Sequence, residues 1–125
     1  MYSISVVFIQ GTVIQGLRHF TRRMTEHAEL FREATGECLF PGTLNVQIDR
    51  PEPIREHFSI PDPIDATQDL QFEVCRINGN LAYRIRPINR QTGDGGHGDH
   101  ILEIACATKL PNAGDGAVVT LGLFR

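Results

Sequence analysis

The dipeptide Asn78-Gly79 stands between two apolar segments, residues 70–77 and 81–88, and constrains the fold more than any other feature of the sequence. Both turn residues tolerate the positive φ angles that a two-residue hairpin turn requires. The flanking segments are rich in residues that favour strands. We therefore predict an antiparallel hairpin in a chain that is built mainly of sheet.

Four further segments carry the apolar patterns that are typical of strands. Residues 4–15 predict one long bent strand or two short ones, with a bulge or a close backbone approach at Gly11. The other three segments are residues 43–48, 100–105 and 117–124. About six strands joined by irregular connections predict a mainly β protein, a small barrel with one substantial α-helix.

The substantial helix is predicted between the first two of these strand segments. Its apolar residues recur at helical spacing and are Met24, Ala28, Leu30, Phe31 and Ala34. Thr25 can cap the start of this helix and Gly36 can end it. Pro41 then prevents any continuation.

Proline excludes a central strand from the region that follows. Residues 49–69 contain four of the seven prolines, at positions 51, 53, 61 and 63. Proline lacks the N–H that a ladder of backbone hydrogen bonds needs. We predict a long excursion over the surface of the protein.

Composition limits the classes of function. The 125 residues suit a single domain, residues 1–125, and the net charge of −3 provides no positive field for nucleic acid. Cys38, Cys75 and Cys106 are odd in number and widely spaced, which favours reduced thiols over a disulfide framework or a zinc motif. The apolar N-terminal run lacks a basic leader and is too short to span a bilayer, so we expect a cytoplasmic protein with no membrane partner. The sequence predicts no particular oligomeric state.

A Pro-Gly turn at residues 41–42 leads directly into the segment 43–48. In an extended chain Thr43 and Asn45 share one face, while Leu44 and Val46 point to the other. Two oxygen-bearing side chains at this spacing could together meet a hard cation or the cation of a bound phosphate. The alternative is a purely structural strand, because Thr is a good strand former and Asn is common near turns.

Several segments, taken in order along the chain, resemble the archaeal CTP-dependent riboflavin kinases. They are the opening at residues 11–17, the amphipathic helix, the Pro-Gly-Thr-Leu-Asn run at 41–45, the late strand with Glu103, and the Asp115-Gly116 turn. The resemblance spans nearly the whole chain, and residues 41–45 are its most specific part. It implies a six-stranded cradle-loop barrel that transfers a phosphoryl group from CTP to riboflavin and produces FMN.

The resemblance also implies roles for individual residues. Thr43 and Asn45 match the residues that hold the magnesium ion, and Glu103 matches an acidic residue that contacts the flavin. The nucleotide would contact Gly11, Gly16, Leu17, Thr108, Lys109 and Leu110. In such a site closely spaced glycines let backbone amides approach the phosphates.

The chain departs from the family at three places, one of which is a shorter connection to Asp115-Gly116. It has Arg18-His19-Phe20 where the family has further glycines, and Pro111 where the family has an arginine. Arg18 is itself a candidate nucleotide ligand, because Arg18, Arg22 or Arg23 could contact phosphate through a charged side chain. The alternative function is a non-catalytic barrel that binds a flavin or another small ligand and has lost the nucleotide site.

A second polar cluster lies in a glycine-rich loop, where His97, Asp99 and His100 precede Glu103. These residues suit either a transition-metal site or a plain polar loop. The sequence contains no Gly-x-x-x-x-Gly-Lys-Ser/Thr phosphate loop and no nucleophile elbow. The mechanisms of the ordinary kinases and hydrolases are therefore excluded.

Overall fold

A computed structural model of the protein describes residues 4–16, 19–93 and 98–125. Its elements follow the chain in the order β1 (Val6–Ile14), α1 (His19–Glu26), α2 (Ala28–Thr35), β2 (Leu44–Gln47), β3 (Phe58–Pro61), β4 (Gln68–Ile77), β5 (Asn80–Asn89), β6 (Ile101–Cys106) and β7 (Val118–Phe124). Neither helix is long and apolar enough to cross a membrane.

Six antiparallel strands close into a barrel, which confirms the predicted mainly β barrel. The strand order is β4-β5-β6-β2-β1-β7, and β7 pairs back onto β4 to complete the circle. The closing ladder joins residues 75–77 of β4 to residues 121–123 of β7. The seventh strand, β3, pairs with the first half of β4 and lies outside the circle.

The predicted hairpin forms between β4 and β5. Ten residue pairs run from Gln68↔Asn89 to Ile77↔Asn80. Asn78 and Gly79 have φ angles of 48° and 80°, the left-handed conformation that the turn needs. The prediction made from this dipeptide is confirmed.

The helical region differs from the prediction at its start and at its middle. It begins at His19 and is interrupted at His27, which has φ −123° and ψ 35°, so two short helices replace one. Thr25 does not cap a helix, because its hydroxyl donates to the carbonyl of Thr21 within α1 at 2.7 Å. Gly36 ends α2 as predicted, with φ 76° and an N–H bonded to the carbonyl of Arg32 at 2.8 Å.

The proline-rich region contributes one short strand, β3, at the edge of the sheet. The strand is four residues long, ends at Pro61 and pairs only with β4. A proline at the end of an edge strand forfeits no ladder bond that a central strand would need. Residues 49–67 hold no central strand, as predicted, but the prediction is wrong for residues 68 and 69, which begin the central strand β4.

Two apolar clusters stabilise the fold, one inside the barrel and one between its outer face and the helices. The inner cluster includes Val46, Cys75, Ile77, Leu102, Ile104, Leu121 and Leu123. The outer cluster includes Phe20, Met24, Phe31, Leu70, Phe72, Tyr83 and Ile85. All three cysteines are unpaired, and burial raises the pKa of Cys75 to about 12 and that of Cys106 to about 11.

Charged residues continue the inner face beyond the apolar cluster. Glu73, Arg84 and Arg125 each lie two positions from an inner-cluster residue, so their side chains point the same way. Glu73 bonds to Arg125 at 2.5 Å and lies 3.6 Å from Arg84. Arg125 also bonds to Glu52 at 2.7 Å, and Asp99 pairs with Arg84 at 3.8 Å. We call these five residues the ionic plug.

We expect Glu73→Gln to lower the free energy of unfolding by about 3 kcal/mol, because Arg84 and Arg125 would keep buried charges with one counter-charge removed. Urea denaturation followed by circular dichroism measures this change. Glu26→Gln is the matched control, since Glu26 pairs with Arg22 on the exposed surface of α1 and should contribute less than about 1 kcal/mol. Equal effects of the two substitutions would contradict a structural role for the plug.

Candidate functional site

Two adjoining cavities lie where the turn before β2 meets the segment after β6. The larger has a volume of about 690 Å³ and is bounded by residues 40–44 on one side and 108–114 on the other. The smaller, of about 240 Å³, lies between the end of β1 and the start of β2. The two cavities share Thr21, Thr43, Leu44 and Ala113.

The turn at Gly42 directs β2 into this region. Gly42 has φ 104°, a conformation that favours glycine, and its N–H contacts the sulfur of Met24 at 3.2 Å. Thr43 follows the turn and lines both cavities. The local geometry therefore depends on helix α1 as well as on the Pro-Gly turn.

Asn45 lies in the centre of three paired strands. It stands opposite Ile14 of β1 and opposite Glu103 of β6. The residue is only 6% exposed, yet it lines the small cavity together with Thr43. Val46, the next residue, is fully buried in the inner cluster, so side chains alternate along β2 as the sequence predicts.

The side-chain oxygen of Asn45 has no hydrogen-bond partner among the described residues. Burying an amide oxygen without a partner costs about 1–3 kcal/mol, so native proteins keep few such groups. Gly16 packs directly on the amide, since a Cβ on that residue would lie 1.6 Å from the Asn45 Nδ2. The pocket around Asn45 is thus shaped by the absence of a side chain at position 16.

This donor set fits a hard cation. The hydroxyl of Thr43 and the unpartnered oxygen of Asn45 are oxygen ligands of the kind that Mg²⁺ accepts beside water and phosphate. Within residues 4–16, 19–93 and 98–125, no group of three His, Cys, Asp or Glu side chains could hold a metal. In the predicted His97 cluster, His97 lies outside the described residues and Asp99 is engaged by Arg84 and Arg86.

The structure brings some of the predicted nucleotide ligands to the cavities. Thr108, Lys109 and Leu110 line the larger cavity together with Thr43, and Gly16 lines the smaller one. Gly11 lies within β1 instead, where a Cβ would come 2.4 Å from a methyl carbon of Val46. The absence of a side chain at Gly11 therefore lets β1 pack closely against β2. Leu17 and Arg18 lie outside the described residues.

Of the three residues that stand where the family has further glycines, the side chain of Phe20 lies in the described part of the chain. Phe20 is buried in the outer cluster and lines neither cavity. Arg22 pairs with Glu26 on the surface, and Arg23 forms a two-pronged pair with Asp62 at 2.9–3.1 Å. Phe20 therefore does not crowd the cavities, and both arginines already have counter-charges.

Glu103 is buried next to the site and lines neither cavity. Burial raises the pKa of its carboxyl to about 7, and the nearby positive charge of Arg23 opposes that rise. As the strand neighbour of Asn45, Glu103 borders the site from the side of β6. A direct flavin contact by Glu103 stays a prediction.

Thr21 and Asp115 are among the cavity residues that were not expected from the sequence. Thr21 reaches both cavities from α1, which requires a helix that starts earlier than its apolar period indicates. Asp115 lines the small cavity from the turn before β7. The Asp115-Gly116 dipeptide predicts a turn. Asp115 is far from Asn45 in the sequence, however, so the sequence alone does not show that the two residues line one cavity.

No protein-family model and no curated protein matches this chain. The resemblance to riboflavin kinases therefore rests on the residues quoted above, and the chemistry of the site rests on its geometry.

We expect Gly16→Ala to destabilise the fold by about 1–3 kcal/mol, because the added methyl group must displace the buried Asn45 amide. Gly98→Ala is the control, since a Cβ at that position meets nothing within 4 Å. Thermal and urea unfolding of both variants measure the difference. If Gly16→Ala is as stable as the control, the close approach to Asn45 does not constrain this position.

The raised pKa of Glu103 predicts that the stability of the protein depends on pH. Folding raises this pKa from 4.5 to about 7, so the folded chain binds the proton more tightly than the unfolded chain. The stability that Glu103 contributes is therefore fully present below pH 4.5 and is lost as the pH rises through about 7.

Relative to wild type, Glu103→Gln should gain up to about 3 kcal/mol of stability across this pH range, since glutamine has no proton to lose. The measurement is urea unfolding at a series of pH values. Glu56→Gln, at an exposed carboxylate, should run parallel to wild type. A constant difference between Glu103→Gln and wild type would show that Glu103 does not titrate in this range.

Proposed function

We propose that this protein is a divergent CTP-dependent riboflavin kinase, which transfers a phosphoryl group from a nucleoside triphosphate to riboflavin and yields FMN. The observation that carries the proposal is the unpartnered oxygen of Asn45 beside Thr43, at the junction of two cavities. These are the two residues for which the resemblance implies a metal-binding role. A buried acceptor without a partner, on a residue that lines a cavity, is the feature that a purely structural strand would lack.

The two cavities suit ligands of different chemistry. The larger one has apolar walls, including Phe40, Leu44 and Ile104, and is large enough for a flat ring system. Thr108 and Asn112 add polar groups that could orient such a ring. We place the reacting phosphate at Thr43, because this residue lines both cavities.

The reaction joins the terminal ribityl hydroxyl of riboflavin to the γ-phosphorus of the triphosphate. The hydroxyl oxygen forms the new P–O bond, the bond to the β–γ bridging oxygen breaks, and the hydroxyl proton is released. FMN and a nucleoside diphosphate leave. Little base assistance is needed, because the transition state of phosphoryl transfer is loose and catalysis rests on positioning and charge neutralisation.

The residues of the chain would act mainly by orientation. Thr43 and Asn45 would hold Mg²⁺, which when bound neutralises negative charge on the phosphates. Asn45 is fixed between β1 and β6, so its oxygen is held in place before any ligand arrives. Glu103, buried beside Asn45, would help to hold the flavin side of the site. The expected location is the cytoplasm, in keeping with three unpaired cysteines.

One observation favours the second candidate, a non-catalytic barrel that binds a flavin or another small ligand. Among the described residues that line the larger cavity, Lys109 carries the only formal positive charge. Pro111 lines the same cavity at the position where the family has an arginine. Of the described lining, Lys109 alone therefore offers a triphosphate a charge-assisted contact.

The test combines a binding and a product measurement on the wild-type protein. Titration calorimetry with riboflavin, and separately with CTP and Mg²⁺, reports which ligands bind. Incubation of all three, followed by mass spectrometry, reports FMN. Riboflavin binding without CTP binding would overturn the kinase proposal in favour of the binding barrel, and a panel of other nucleotides would expose a different phosphate donor.

We expect Thr43→Val to lower kcat/KM for FMN formation about a hundredfold, because the hydroxyl that orients the phosphate is lost while the shape of the side chain is kept. Thr12→Val is the matched control, since Thr12 is exposed on β1 and lines neither cavity. Initial rates of FMN formation measure both variants. Equal rates in the two variants would show that the Thr43 hydroxyl takes no part in the reaction.

A further inference from the structure

Asp115 is a carboxylate at the small cavity for which neither the sequence patterns nor the resemblance gives a ligand role. It lines this cavity together with Thr43, Asn45 and Gly16. We infer that Asp115 supplies the charged ligand of a divalent-cation site that it forms with Thr43 and Asn45. The inference deepens the proposed function, because it concerns the same site.

The position of Asp115 is fixed by backbone hydrogen bonds on both sides. The N–H of Gly116 donates to the carbonyl of Val13 at 2.8 Å, and the N–H of Val13 donates to the carbonyl of Ala117 at 2.8 Å. Ala117 also bonds back to Gly114 at 2.9 Å. The turn is therefore tied to β1 beside Ile14, the strand partner of Asn45.

The carboxylate of Asp115 forms no hydrogen bond or ion pair with another described residue. Most buried or half-buried acids of this protein are already engaged: Asp62 by Arg23, Asp99 by Arg84 and Arg86, and Glu73 by Arg125. Asp115 differs from them because it is exposed, lines the small cavity and has no basic partner among the described residues.

The charge of the cavity favours a cation. Among the described residues that line it, Asp115 is the only one with a formal charge, and Thr43 and Asn45 add neutral oxygens. The Asn45 oxygen is an independent indication of a ligand, because it is buried and has no partner in the described part of the chain. Mg²⁺ sites in proteins usually combine one or two carboxylates with neutral oxygens, water and phosphate.

A carboxylate changes what the site can do by itself. Neutral oxygens alone would depend on the phosphates of a nucleotide to bring the cation. With Asp115 the site should bind a divalent cation before any nucleotide is present.

The experiment therefore uses the metal alone, with Mn²⁺ as the probe and no nucleotide. Electron paramagnetic resonance of free Mn²⁺ gives the affinity, and competition with Mg²⁺ shows whether the same site takes both ions. Asp115→Asn keeps the shape and removes the charge, and it should weaken Mn²⁺ binding at least about tenfold. Asp49→Asn is the matched control, since Asp49 is exposed beyond the far end of β2 and lines neither cavity.

Each outcome decides the inference. Mn²⁺ binding that Asp115→Asn weakens and Asp49→Asn leaves unchanged supports it. Equal affinity in wild type and Asp115→Asn overturns it, and so does a wild-type protein that binds no Mn²⁺ without nucleotide. A kinase that forms FMN but binds no Mn²⁺ alone would refute only the role of Asp115. A protein that binds Mn²⁺ through Asp115 but forms no FMN would refute only the proposed function.

Discussion

The pairing of β4 with β7 is the constraint on which the rest of the structure depends. Three residues of each strand make this ladder, and they turn an open sheet into a closed barrel. In the closed circle every barrel strand has two neighbours, and β2 pairs with β1 on one side and with β6 on the other, which holds Asn45 between Ile14 and Glu103. It also brings Glu73 of β4 next to Arg125 at the end of β7. The site and the ionic plug are thus two consequences of one geometric condition.

Two buried polar groups near the site destabilise the folded protein. The unpartnered oxygen of Asn45 and the buried carboxyl of Glu103 both oppose folding, the first by lost hydrogen bonding and the second by lost hydration. A ligand that bonds to the Asn45 oxygen would recover part of this free energy. We therefore expect a ligand that bonds to Asn45 to stabilise the fold.

Local signals were sufficient for much of the fold. Asn78-Gly79 predicted the hairpin, Gly36 the end of the helical region, and the prolines the absence of a central strand, because each acts through the backbone of its own neighbourhood. The break at His27 and the cavity position of Thr21 were not predictable, since they depend on how the helices pack on the barrel. The same holds for the site: Thr43 and Asn45 came from a short motif, whereas Asp115 required the folded topology.

The edge strand β3 has a consequence for how copies of this protein behave together. In the described part of the chain, β3 carries the open edge of the sheet, because every other strand has neighbours on both sides. An open edge is a template on which a strand from another molecule can add. Here it offers four residues and ends in Pro61, which has no N–H to donate, so an incoming strand would find little to pair with. The prolines that keep this region out of the barrel therefore also protect the protein against edge-to-edge aggregation at high concentration.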